Sequence, residues 1–178
     1  MPTQKRVYTR DDLKRLPEEW WVELVDGDLV MTPSPVLWHQ ILAKRLMARL
    51  DDHLGPGGED RVIPAPLDVP VDDQNVYQPD VLVLAEGFLA EGLETETPTP
   101  IWVAEVISPH TASNDLKKLP FYAAKGVREA WLVYPKSERV VVHDFVSGSV
   151  AEYGRPSRVP SSALPGFTLD LERFFRVG

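Results

Sequence analysis

Glu105 stands inside IWVAEVI, a run apolar enough to form a strand buried on both faces, where an unpaired carboxylate costs several kcal/mol. It needs a base or a bound cation beside it, because an isolated buried glutamate rises in pKa and takes a proton. Asp80 lies at the mouth of a second apolar run, VLVLA, behind Gln78-Pro79, a pair that disfavours helix and sets an extended approach. If the two strands pair, the carboxylates converge into an all-oxygen pocket of the kind that Mg²⁺ or Mn²⁺ prefers. Lys118 follows Glu105 by 13 residues on a predicted helix, near enough in chain terms to fold its ammonium over the strand end and hold water or phosphate. A metal on two carboxylates polarises a phosphodiester and lowers the pKa of its water, while a lysine orients that water or balances charge. An Asp at a strand end and a Lys on a helix are commonly just solvated, so Glu105 is the least ordinary of the three.

The elements that must position these groups can be read from punctuation and periodicity. Thr9 before DDLKRLPEE is an N-cap for a short helix that Pro17 limits. In WWVELVDGDLVMTPSP, Asp26-Gly27 falls between apolar arms, the pattern of a tight hairpin turn. Ser34-Pro35 predicts the start of a helix over about 36–54, with Leu37, Ile41, Leu42, Leu46, Leu50 and Leu54 near one face and Gly55 at its end. RVIPAPLDVPV, YQPDVLVLA and PIWVAEVIS read as β-rich runs of one sheet. A second helix is predicted over about 111–125, where Pro120 either bends it near 116–120 or opens its regular part. EAWLVYP and RVVVHDFV add two strands, and LDLERFF a short amphipathic end. The order implies an α/β fold, a mixed sheet flanked by helices with an N-terminal helix and hairpin, in one domain over residues 1–178.

Composition narrows the chemistry. The absence of cysteine excludes disulfides, thiolate ligands and a cysteine nucleophile, leaving oxygen or imidazole to hold any metal. No window is apolar enough for a membrane helix and the N-terminus lacks a secretory run, so a cytoplasmic protein is expected. The net charge of -8 argues against a uniformly basic nucleic-acid surface. Between Val62 and Leu116 there is no Lys or Arg but ten acids, so the remainder, with all 19 basic residues against 17 of the 27 acidic ones, is +2. Such an acidic centre can attract a divalent cation, and a polyanion would then approach through that cation and the basic flanks. For most of the ten acids a solvated face is the commoner explanation.

QPD at 78–80, AEVISPHT at 104–111 and KLPFYAAKGVREAWLV at 118–133 together resemble the PD-(D/E)XK nuclease superfamily. With WVELVDGDLV, PSPVLWHQIL, PAPLDVPV and LPGFTLDLERFF, nearly the whole chain is similar to the bacterial Uma-type family of restriction-endonuclease-like proteins. The resemblance implies a mixed sheet with surrounding helices and metal-dependent cleavage of nucleic acid, with Asp80 and Glu105 matching the two metal-binding acids. The superfamily's usual lysine, two residues after the second acid, is replaced here by Ile107, and the family takes its lysine from the following helix. The lysine-to-tyrosine spacing counted back from Tyr122 selects Lys118 over Lys117. Two departures stand out: the stretch from Ser108 to Lys118 is one residue short, and Tyr134 replaces the Asp of an LVDP segment.

Around this core, His39 and Gln40 sit early in the first long helix, where related nucleases place groups near the metal or its water. A lone helix histidine is more often structural. Glu23, in the family's ELVDG segment, and Gln78 could line the site or pair with a base. His53, His110 and His143 show no metal-ligand spacing, Ser108 has no triad partner in sequence, and no phosphate-binding glycine loop occurs. The leading expectation is a Mg²⁺- or Mn²⁺-dependent endonuclease on DNA. Its rivals are a catalytically silent nuclease-fold protein acting as a binding module, favoured by the short stretch before Lys118, and a structural subunit whose Glu105 pairs with Lys118 or another base. Trp20-Trp21, facing opposite ways in a strand, would leave one ring for self-association, and a homodimer is expected.

Overall fold

The computed structural model describes residues 6–17, 20–31, 34–88, 96–109 and 112–177, apart from the side chain of Glu59. Helix α1 (Arg10–Leu13) is closed by a capping box, with Thr9 accepting from the Asp12 amide and Asp12 accepting from the Thr9 amide. Strands β1 (Val22–Val25) and β2 (Asp28–Met31) form the hairpin read from Asp26-Gly27. Both turn residues have positive φ, 52° and 74°, as a two-residue turn between right-twisted strands demands. A Cβ on Gly27 would lie 2.5 Å from Val7 Cγ1, so glycine is also required for the approach of the N-terminal segment.

Helix α2 (Leu37–Leu54) begins at Val36 with no side-chain cap, so Ser34 is not its N-cap, because two extended residues separate Ser34 from the first turn. Its buried stripe is narrower than the apolar spacing suggests: Leu42, Leu46 and Leu50 are sealed, but Leu37 is 77% exposed. The run 61–71 divides into β3 (Val62–Pro64) and β4 (Val69–Asp72), and the run 77–85 divides between β5 (Asn75–Tyr77) and β6 (Val81–Val83). One sheet was expected for these runs, and they fall in two: a four-stranded sheet in the order β2-β1-β5-β4, and a six-stranded one in which β3 is the edge strand beside β6 and four later strands complete the sheet. Gln78-Pro79-Asp80 is the crossing between them. Proline explains the split, since the ladder needs an amide that Pro66 and Pro79 lack.

Strand β7 (Trp102–Val106) pairs antiparallel with β6 and parallel with β8 (Glu129–Tyr134), and α3 (Ala112–Lys125) makes the crossover between the parallel pair. Pro120 neither starts α3 nor interrupts it. The carbonyl it leaves unpaired belongs to Leu116, which is on the exposed side, where water can serve it. Strand β9 (Arg139–Asp144) was read correctly, but β10 (Ser149–Gly154), β11 (Arg158–Pro160) and β12 (Thr168–Asp170) were not expected. Their alternation is weak, with β10 almost wholly exposed. The tail closes with α4 (Leu171–Phe174). Trp20 and Trp21 precede β1 rather than lying in it, and both are about half exposed, so the opposite-facing argument does not apply. Among the described residues no helix is long and apolar enough to cross a membrane.

The inner strands β6, β7 and β8 of the six-stranded sheet are buried on both faces. Val81, Val83, Ala104, Val106 and Trp131 pack under α2, and Leu82, Val103 and Leu132 pack with Leu119 and Tyr122 of α3 and with Val25 and Tyr77 of the smaller sheet. Helices flanking a mixed sheet are the α/β arrangement that the element order implies. The C-terminal segment is anchored by Glu129, fully buried, whose carboxylate accepts from the indoles of Trp102 and Trp131, the Ser162 amide and hydroxyl, and the Ala163 amide. All of its partners are donors, so the site fits a carboxylate alone. Glu129→Ala is expected to lower the urea-unfolding free energy by at least ~3 kcal/mol through orphaned buried donors. Glu129→Gln, which presents an amide NH₂ to donors, should recover only part of it.

Candidate active site

The register Val81↔Ala104 continued by one residue sets Asp80 opposite Glu105 at the end of the β6/β7 pair, so both carboxylates leave the same face of the sheet. Asp80 Oδ2 accepts from the Val106 amide at 2.7 Å and lies 3.1 Å from His39 Nε2. Glu105, 4% exposed, accepts on Oε1 from the Tyr122 hydroxyl at 2.7 Å and from Lys118 Nζ at 3.3 Å. Asp80 Oδ1 and Glu105 Oε2 take no hydrogen bond among the described residues.

Lys118, 2% exposed, is gripped by three elements at once: Glu23 of β1 at 2.8 Å, Asp115 of α3 at 3.1 Å and Glu105 of β7 at 3.3 Å. The face of Tyr77 lies 5.9 Å away. Helical spacing places these groups, since Asp115, Lys118, Leu119 and Tyr122 fall at i, i+3, i+4 and i+7 of α3 and are all buried. Glu23 is fixed in turn by the Gln78 amide at 2.7 Å. Lys117, one residue round the helix, is exposed.

The electrostatics are lopsided. Three carboxylates, Glu23, Glu105 and Asp115, share one ammonium, and a fourth, Asp80, lies against His39. Burial pushes the Glu105 carboxyl well up, opposed by Lys118, and raises Glu23 in the same way. Burial alone would lower Lys118, but Glu105, Glu23 and Asp115 outweigh it and hold the amine well above its ordinary range, a fixed charge rather than a base. Burial likewise lowers His39, and the hydrogen-bonded Asp80 carboxylate overturns that and raises it. His39 Nδ1 is buried with no hydrogen-bond partner among the described residues.

These groups line a partly enclosed pocket of about 170 Å³, walled by Trp21, Pro35, Val36 and Pro66. All the residues expected at the site converge there: Asp80, Glu105, Lys118, Glu23, His39, Gln40 and Gln78. Gln40 is exposed at the rim, and the Gln78 amide group turns aside to Asp68 at 2.8 Å. Asp115 and Trp21 also line the pocket, and the sequence reading missed them as site residues. The signal for Asp115 was its i,i+3 spacing to Lys118; Trp21 had none. His53 and His143 lie outside the pocket lining, and His110 is outside the described residues.

Excess negative charge, two adjacent carboxylates each with an oxygen to spare, and a donor set without sulfur suit a hard divalent cation. Among the described residues no three His, Asp or Glu side chains form a ready cage, so such an ion would complete its shell with water or substrate oxygens, as Mg²⁺ commonly does. Asp80 and Glu105 are the residues placed to hold it.

Lys118→Met strips the cluster of its cation and is expected to cost roughly 3–5 kcal/mol in denaturant unfolding. Lys117→Met at its exposed site should stay within ~0.5 kcal/mol. The raised carboxyls also set a pH dependence. Folded Glu105 binds its proton more tightly than the unfolded chain, so stability is fullest below the ordinary value of 4.5 and declines as pH rises from there through the shifted one. In chelator-treated protein, the melting temperature of wild type should therefore fall relative to Glu105→Gln as pH is raised from about 4.5 to about 8, and a constant gap would contradict the shift.

Comparison with known proteins agrees with this geometry at the level of fold and family. No curated protein matches the sequence. The chain superposes on the crystal structure of a putative nuclease belonging to DUF820 from Anabaena variabilis with a TM-score of 0.81 and 21% identity, over 94% of this chain and 97% of that one. The likeness establishes the restriction-endonuclease-like α/β fold. The model of the Uma2 family, described as "Putative restriction endonuclease", matches residues 10–172, and the chain belongs to that nuclease family.

Proposed function

We propose that the chain, as one nuclease-like domain over residues 1–178, is a Mg²⁺- or Mn²⁺-dependent endonuclease that hydrolyses phosphodiester bonds of DNA in the cytoplasm as a homodimer. The observation that carries the reading is the pairing of Asp80 with Glu105 at the end of β6/β7, with buried Lys118 beside them at the floor of a pocket. Asp80 and Glu105 would hold the ion, which would supply positive charge against the charge that develops on the phosphoryl group. The Val106 amide and His39 fix Asp80 through Oδ2 and so orient its carboxylate toward the pocket. Glu23 and Asp115 keep Lys118 charged and in place. Its longest contact, to Glu105, is the N–H that the attacking water takes. The water oxygen bonds to phosphorus as its proton passes to solvent, the bond to the leaving sugar oxygen breaks, and that oxygen takes a proton from solvent. Exposed Trp20, Trp21 and Met31 on and beside the β1/β2 hairpin support self-association.

The silent-scaffold reading has its own support, because Glu23, Asp115 and Glu105 already engage all three N–H donors of Lys118. Ion-dependent stability decides between them. With Mg²⁺ or Mn²⁺ at ~100 times its Kd, wild type should melt roughly 5–10 °C higher, and Asp80→Ala and Glu105→Ala should not shift. Cleavage of plasmid DNA should fall at least ~100-fold in either variant. No shift in wild type, with both variants folded, would leave the scaffold reading standing.

A further inference from the structure

On the flank of α2 away from the sheet, Arg45 and Arg49 face Arg158 of β11 and Arg173 and Arg176 of the C-terminal segment across a cleft of about 730 Å³. Two carboxylates share its lining, Asp52 and Asp170, and each is spanned by an arginine of the cleft, Arg49 at 3.4 Å and Arg173 at 3.9 Å. Five arginines against two aspartates leave a local excess of +3 on a chain whose net charge is -8. Arg49, Arg158, Arg173 and Arg176 are exposed, and among the described residues Arg158 and Arg176 enter no ion pair. Arg45 is different in kind: it donates to the Phe174 and Arg176 carbonyls at 2.7 and 2.9 Å and lies over the ring of Trp38, so it builds the wall that the others decorate.

Stability does not explain such a cluster, since like charges so gathered repel, and exposed pairs at 3.4 and 3.9 Å contribute little. Planar guanidinium groups spread along a cleft do suit a run of phosphates, each a bidentate acceptor. The cleft also has a fixed relation to the pocket. Arg49 lies ten residues beyond His39 on the same helix, ~15 Å along its axis, which is the rise of roughly four to five base pairs.

We propose that this arginine cleft is a binding site for the phosphodiester backbone of nucleic acid, set along α2 from the pocket that His39 lines. The inference rests on the reading that the substrate is nucleic acid, but not on metal binding or cleavage. The cleft supplies the positive charge that the acidic pocket lacks and leaves base sequence unread.

The test is fluorescence anisotropy of a labelled duplex of ~20 base pairs in EDTA, where failure of the catalytic reading cannot affect the result. Wild type should bind with strong salt dependence. Arg49→Glu/Arg173→Glu should weaken binding about tenfold or more and reduce the slope of log K on log salt by about 2. Arg139→Glu, the same kind of charge reversal on the β9/β10 hairpin, should change it far less. Arg49→Gln/Arg158→Gln/Arg173→Gln, with no reversed charge, should lose affinity in the same direction and keeps the test open if the double reversal fails to fold. No binding by wild type, or equal weakening by Arg139→Glu, overturns the proposal.

Discussion

The ammonium of Lys118 joins three elements that the chain would otherwise hold apart. Glu23 comes from the smaller sheet, Glu105 from the larger one and Asp115 from the helix above, and all three carboxylates are buried. Each would be costly to bury without that charge. The amine therefore adds a charged tie between α3, β1 and β7 to the packing of Leu119 and Tyr122 against the sheet. Tyr122 completes the arrangement from the same helix by donating to Glu105.

A charged core of this kind is weak evidence for stability, because well-packed apolar residues of similar volume commonly serve as well or better. Three carboxylates to one ammonium, with Asp80 beside them, is also a poor ratio if stability were the purpose, since the surplus charge opposes folding. On the proposed function a cation would offset that surplus, and the buried Nδ1 of His39, without a hydrogen-bond partner among the described residues, would belong to the same polar interior completed from outside.

Much of this was legible in the sequence, for identifiable reasons. Glu105 was conspicuous because its neighbours are uniformly apolar, and Asp80 because Gln78-Pro79 marks a boundary next to a strand. Lys118 emerged over Lys117 only through the tyrosine spacing, and the structure gives the reason: positions 118 and 122 share the buried face of α3 with 115, whereas 117 does not. The hairpin was legible because Asp26-Gly27 needs positive φ at both residues. What escaped was non-local. The division into two sheets depends on which strands meet after the proline-bearing segments, and β10 to β12 are short or exposed strands with little hydrophobic alternation. Glu129 was invisible because all its donors but Trp131, two residues along the same strand, are brought to it only by folding.

The charge pattern acquires a different meaning once it is folded. Of the ten acids between Val62 and Leu116, Asp80, Glu105 and Asp115 gather at the pocket. Others are spent locally: Asp72 accepts from Asn75, Asp68 from Gln78, Glu86 pairs with Arg61 and Glu96 with Arg10. Among the described residues the acidic centre is thus a small deep site plus ordinary surface pairs. The basic residues of the flanks, scattered in sequence between α2 and the C-terminal segment, are brought together by the packing of α4 and β12 against α2. On the proposed reading, a polyanion repelled by the pocket itself would find a landing surface on the same helix that carries His39, and a cation at the pocket would remove the remaining repulsion. Carboxylates gathered at the strand ends beside the start of α2 and arginines gathered along its later turns would then let one chain of net negative charge both hold a phosphate backbone and present acids to it.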